Sequence, residues 1–161
     1  MKKKIWMPVL FLAIIIGCVY LFIKLNSPLE IGTLASTEDN NSAVVGVGNK
    51  GFREIKIVDV TVNNGEKPMK TGLQVSNALQ GFIITNEDTD EKEKNDLTDI
   101  GKVTIKTGTS PSSNFEKLDN GTATKNDEIY GISVIHNEEV NKVHIKYKYL
   151  GILFNDTVIF N

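Results

Sequence analysis

The chain has 161 residues, 40% of them apolar and 24% charged, with a formal net charge of −2 and one cysteine. That length excludes a large multidomain enzyme and leaves space for one ordinary domain with an appendage. The lack of a strong basic excess speaks against a nucleic-acid binder, and a lone cysteine excludes a disulfide framework or a multi-cysteine zinc site.

Residues 1–4 are a basic tip carrying Lys2, Lys3 and Lys4, and residues 5–23, IWMPVLFLAIIIGCVYLFI, contain no charge at all. As a helix this run spans about 28 Å, close to the ~30 Å hydrocarbon core of a bilayer. Lipid offers no partner to backbone N–H and C=O groups, so a transmembrane helix is expected between Ile5 and Ile23. Pro8 is expected in its first turn, where a missing N–H costs little. Trp6 and Tyr20 stand near the two ends, at the level preferred by amphipathic rings. Three lysines before the run and only Lys24 close behind it predict a cytoplasmic N-terminus and an extracellular C-terminal domain.

Two other readings of the same run end in the same exported domain. A cleaved secretory signal requires a small-x-small site, and none follows the run directly. A lipobox is matched by Ile15-Ile16-Gly17-Cys18, but residues 19–23 continue apolar beyond the cysteine, where lipoproteins turn polar. As part of a spanning helix, Cys18 is a small apolar residue facing lipid.

Residues 24–42 read as a polar stalk with one short strand at 31–35, and residues 43–161 as the extracytoplasmic domain. Setting aside Lys2, Lys3, Lys4 and Lys24 leaves 14 basic residues against 20 acids, a net of −6. Most of that excess sits in residues 87–99, with seven acids and two lysines.

Strand signals dominate the domain. Residues 43–45 are strand-like, and residues 52–62, FREIKIVDVTV, are β-branched and run into the turn Asn63-Asn64-Gly65. The apolar phase shifts from Ile55 and Ile57 to Val58, Val60 and Val62, which a period-2 strand allows only with a bulge or with both faces buried. Further strands are expected at 73–76, 81–85 and 102–107. Residues 127–136 and 142–150 read as a hairpin across 137–141. In the second arm Val143, Ile145, Tyr147 and Tyr149 share one face, while Lys142, His144, Lys146 and Lys148 share the other. A last strand lies within 152–160, with Asn155-Asp156 as a turn that would divide it. No segment has a convincing helical period beyond a turn or two at 90–96. The expected fold is all-β, an antiparallel immunoglobulin-like β-sandwich of about 7–8 strands behind one N-terminal transmembrane helix.

Several motifs lack the context their chemistry needs. Gly46-Val47-Gly48-Asn49-Lys50-Gly51 matches the dinucleotide pattern GxGxxG, but a strand pattern follows where a helix must open, so it reads as a glycine-rich turn. Lys-Thr-Gly at 70–72 and 106–108 lacks the Ser-x-x-Lys nucleophile that accompanies it in penicillin-binding enzymes. His136 and His144 fall on opposite faces of the expected hairpin, which argues against a shared metal. Within 87–99, Asp88, Asp90 and Asp99 are the candidate cation ligands, although Glu93 stands where a calcium loop requires glycine. The sequons at Asn120 and Asn155 matter only in a cell that glycosylates.

Arginine occurs once against seventeen lysines, a bias of AT-rich genomes. The anchor MKKKIWMPVLFLAIIIGCVYLFIK, the strand and turn IKIVDVTVNNGEKP and the final ISVIHNEEVNKVHIKYKYLG together resemble the small surface proteins of low-GC Gram-positive bacteria that carry one immunoglobulin-like domain on an N-terminal anchor. The resemblance is one of pattern and order. It implies a cell-membrane location and a surface domain, and it carries over no functional residue. The expected function is a non-catalytic, cofactor-free module that presents its β-sandwich to another envelope or surface protein. The alternative is a ligand- or cation-binding module using residues 87–99.

Overall fold

The computed structural model describes residues 3–84 and 97–160 of the chain. Helix α1 (Lys3–Leu25) includes the apolar stretch Trp6–Leu25, 20 residues long and apolar enough to cross a membrane. It starts two residues earlier than expected, so Pro8 lies in the second turn and forgoes one intrahelical hydrogen bond. From Trp6 onward the helix side chains are exposed all round, apart from Ile23, which packs against the domain.

Among the described residues, eight strands follow in two antiparallel sheets. They are β1 (Leu29–Ser36), β2 (Ser42–Asn49), β3 (Ile55–Val62), β4 (Lys70–Asn77), β5 (Thr104–Ile105), β6 (Glu128–Ile135), β7 (Lys142–Tyr149) and β8 (Ile152–Ile159). The first sheet runs β1-β2-β6-β4 and the second β5-β3-β7-β8. One helix, α2 (Pro111–Asp119), lies between β5 and β6 in the chain. The inner faces of both sheets share one core, with Val45, Ile132 and Leu73 from the first and Ile57, Ile145 and Tyr147 from the second. The fold is therefore β-sandwich-like, as the strand spacing predicts.

The phase shift in β3 is a bulge. Register with β7 slips between Ile57 and Asp59, so Val58 turns to solvent at 47% exposure while Ile55, Ile57, Val60 and Val62 stay in the core. In β7 the four apolar residues are buried and Lys142, Lys146 and Lys148 are exposed, as the alternation requires.

Five expectations are corrected. The polar segment 24–42 is not a stalk with a short strand. Its middle is β1, eight residues long, paired with β2 across residues 37–41. Residues 127–136 and 142–150 do not form a hairpin, because β6 pairs with β2 and β4 while β7 pairs with β3 and β8. The connection 136–141 crosses between the sheets and is pinned by buried Val140, whose amide donates to the Asn40 carbonyl at 2.8 Å. The hairpin lies one step later, where β7 and β8 join through Leu150 and Gly151, both with positive φ. Asn155-Asp156 does not break β8.

Residues 81–84 form no strand. Their backbone is served by the Gln74 amide, which accepts from Ile83 N at 3.1 Å and donates to Ile83 O at 2.6 Å. A side chain thus supplies the donor and acceptor that a neighbouring strand would offer. Of residues 102–107 only Thr104 and Ile105 pair, with Ile55 and Lys56. Residues 85 and 90–96, the latter read as a possible helical turn, lie outside the described residues.

Candidate functional site

The first sheet is covered on its outer face as well as its inner one, and β2 is buried along its whole length. This explains why residues 43–48, AVVGVG, show a continuous small apolar run in place of alternation. Of the glycines read as a turn, Gly46 and Gly48 lie inside this strand and Gly51 follows it. A Cβ at Gly48 would stand 2.0 Å from the Thr109 carbonyl oxygen, and one at Gly46 would stand 3.2 Å from the Phe82 ring. Across the sheet, a Cβ at Gly131 would meet that ring at 2.8 Å. The dinucleotide-like spacing therefore reflects close approach of covering segments and has no relation to phosphate.

One covering segment is α2, which the sequence pattern did not reveal. Ser110 caps it, with its hydroxyl accepting from Ser113 N at 3.4 Å, and Pro111 occupies its first turn. Lys117 near its end pairs with Asp127, whose carboxylate also takes the Thr124 amide and hydroxyl at 2.7 and 2.8 Å. These bonds, the one from Lys117 foremost, hold the Asp127 carboxyl down to about 2. The other covering segment is residues 78–84, clamped by Gln74, which also donates to Ser133 Oγ at 2.6 Å.

Between the two covers lies a cleft of about 300 Å³. Ala35, Val44 and Gly46 form its floor, Phe115 and Leu118 one wall, and Phe82 the other. Phe115 and Leu118 are 47% and 39% exposed at the rim, on a helix whose polar side faces water. Of the polar side chains lining it, Thr33 is exposed and the other three are engaged elsewhere. Tyr130 donates its phenol to Glu128 at 2.7 Å, Thr109 donates to the Lys106 carbonyl at 2.8 Å, and buried Asn114 reaches the Thr109 and Glu128 carbonyls at 3.4 and 3.5 Å. Burial pushes the Tyr130 phenol well above its usual range, and the Lys106 ammonium beside Glu128 holds that carboxyl below its own. A cleft with apolar walls and paired buried polar groups suits an apolar occupant.

The residues singled out in the sequence do not converge on it. Asp88 and Asp90 lie outside the described residues, while Asp99 sits in an exposed turn and pairs with Lys102, which lowers its carboxyl. His136 meets Glu66 at 3.2 Å, whereas His144 is held between Thr157 and the Asn63 carbonyl at 2.9 and 2.8 Å. Among the described residues no three His, Cys, Asp or Glu side chains gather closely enough to hold a metal ion. Of the anchor residues, Trp6, Cys18 and Tyr20 are exposed along α1, Ile5 is within the helix, and Ile23 touches the core. The cleft had one legible signal, the glycines at 46 and 48, but their spacing pointed to the wrong chemistry. No protein-family model, curated protein or solved structure matches the chain.

Proposed function

We propose that this is a single-pass, membrane-anchored surface module whose extracytoplasmic β-sandwich, immunoglobulin-like in type, binds a protein partner without catalysis. The partner inserts an apolar side chain into the cleft between α2 and Phe82. The cleft carries this reading: its rim is half-exposed and aromatic or aliphatic, its buried polar groups are already paired, and apolar anchors in such pockets dominate recognition energetics. The anchor is supported by a 20-residue apolar stretch with no side chain inside the domain except at its last turns. Its orientation follows from Lys2, Lys3 and Lys4 against a single Lys24. The immunoglobulin-like type is supported by the strand order, four strands β1-β2-β6-β4 facing β5-β3-β7-β8 with the chain crossing between sheets as in those sandwiches.

The test is a photocrosslinking amino acid at Leu118 in the full chain, expressed in its own membranes. The expected result is a crosslinked protein species at Leu118, absent with the same probe at Lys146 on the wet face of the other sheet. That species should disappear when Ala35→Phe fills the cleft floor. A crosslink only to the protein itself, or one unaffected by Ala35→Phe, contradicts the reading.

A further inference from the structure

Only three residues, Asn26, Ser27 and Pro28, separate α1 from β1. At ~3.6 Å per extended residue, Leu29 stays within about 14 Å of Leu25. The junction is also fastened sideways. Asn26 still bonds to the Phe22 carbonyl, Ser27 Oγ lies 2.7 Å from the Tyr147 hydroxyl, and Lys50 N donates to the Pro28 carbonyl at 3.0 Å. Lys24 donates to the Leu153 carbonyl, with its ammonium 4.4 Å from the centre of the Phe154 ring. The helix thus leaves the sandwich beside two connections, the loop 50–54 and the tip of the β7–β8 hairpin at residues 150–153.

Those loops carry an unusual surface. Phe52 is 72% exposed, resting edge-on against Tyr149 at 5.9 Å, and Leu150 and Leu153 are 43% and 45% exposed. Leu150 also holds φ at 49°, a left-handed turn position where asparagine or glycine is the usual occupant. Around these stand Lys24, Lys50, Arg53 and Lys148, none of which has a carboxylate within ion-pair distance among the described residues. The acids at this end are already engaged: Asp156 by the Ser27 and Tyr147 hydroxyls, Glu128 by Lys106, Asp127 by Lys117, Glu54 by the Thr104 hydroxyl and Glu30 by Ser112 N. At the opposite end the turns carry Glu38, Asp39, Glu66, Glu138 and Glu139. Lys67, Lys70 and Lys142 share that far end, so its acids outnumber its lysines five to three, whereas the cations at the helix exit are unpaired among the described residues.

We propose that the helix-exit end is a membrane-docking surface, in which Phe52, Leu150 and Leu153 enter the headgroup layer of an anionic bilayer and the surrounding lysines and arginine meet lipid phosphates. The inference rests on the anchoring reading above. Exposed aromatic and aliphatic side chains flanked by Lys and Arg suit the interface, where apolar groups leave water and cations meet negative surface potential. The tether length holds the surface at that depth. Docking at this end, with β1, β2 and α2 standing on the bilayer, leaves the cleft accessible from the side.

The test uses the full chain in vesicles of phosphatidylcholine and phosphatidylglycerol with brominated acyl chains. Trp6 of the unaltered chain reports insertion of α1. In a Trp6→Phe background, Phe52→Trp places the only indole at the docking end and Met69→Trp places it at the opposite end, both at exposed positions. The expected result is that emission of the Phe52→Trp variant shifts to the blue and is quenched by brominated lipid, while emission of the Met69→Trp variant does neither. Adding Lys50→Glu and Arg53→Glu to the Phe52→Trp variant should restore most of its lost emission. Quenching of Trp6 in the unaltered chain without quenching of the docking-end indole overturns the docking surface and leaves the anchor standing. Failure to quench Trp6 overturns the anchor and the docking surface together. Equal quenching of the docking-end indole in pure phosphatidylcholine contradicts the preference for anionic lipid.

Discussion

Asn49 shows how much one polar side chain organises. Fully buried at the end of β2, its amide donates to the Arg53 and Ile105 carbonyls at 2.8 and 3.1 Å and accepts from Gly51 N at 2.8 Å. It ties β2, the following loop and β5 into one corner, which is why Phe52 is presented outward in a fixed place. The sequence pattern set Asn49 in a glycine-rich turn, because an asparagine beside glycines signals a turn more often than a buried knot. Asp127 plays the matching part for α2. Its folded value of about 2 lies below the ordinary value of 3.8. A depressed carboxyl contributes stability that is complete above the unfolded value and lost as pH falls through the folded one, here between about pH 4 and pH 2. A carboxyl carbon-13 titration of the full chain in micelles should therefore find the Asp127 midpoint near 2, and Lys117→Met should raise it. An unchanged midpoint in Lys117→Met would remove the clamp from the account.

Among the elements, β3 and β7 were the most legible, since each buries one face and wets the other. The apolar phase of β3 left a bulge or two buried faces open, and the register shift decides for the bulge; the test is a pair of substitutions. Val60→Thr buries a hydroxyl without a partner and should cost about 1–3 kcal/mol. Val58→Thr, on the bulge and in water, should stay within about 0.5 kcal/mol of wild type. Denaturant unfolding of the full chain in detergent distinguishes them, and equal losses would mean the bulge does not turn Val58 outward. Three elements were hidden for physical reasons. In β1, LEIGTLAS has small and polar residues because α2 and β2 cover it only in part. Helix α2 buries a single residue, Asn114, so it shows no apolar stripe, and only Ser110-Pro111 marks its start. Residues 81–84 looked like a strand because they pack on one, yet Gln74 satisfies their backbone in place of a ladder. The order of strands within the sheets was beyond reach, since crossing at 136–141 depends on Val140 finding the core.

For the whole molecule, charge is the feature that averaging concealed. A net of −2 covers a basic tip, a basic and apolar helix-exit end, the acidic residues 87–99 and a far end with more acids than lysines. A helix long and apolar enough to span a membrane was legible from the uncharged run; the cleft was not, because its lining comes from residues between 33 and 130 that meet only in the fold. Anchor, docking end and cleft all presuppose that the sandwich lies outside the membrane through which α1 passes. The most direct measurement is thiol labelling of a Cys18→Ala, Lys125→Cys variant, whose only cysteine is exposed on the domain. A membrane-impermeant maleimide should label it in intact cells as fully as in permeabilised ones. Labelling that appears only after permeabilisation would place the domain in the cytoplasm and contradict the account.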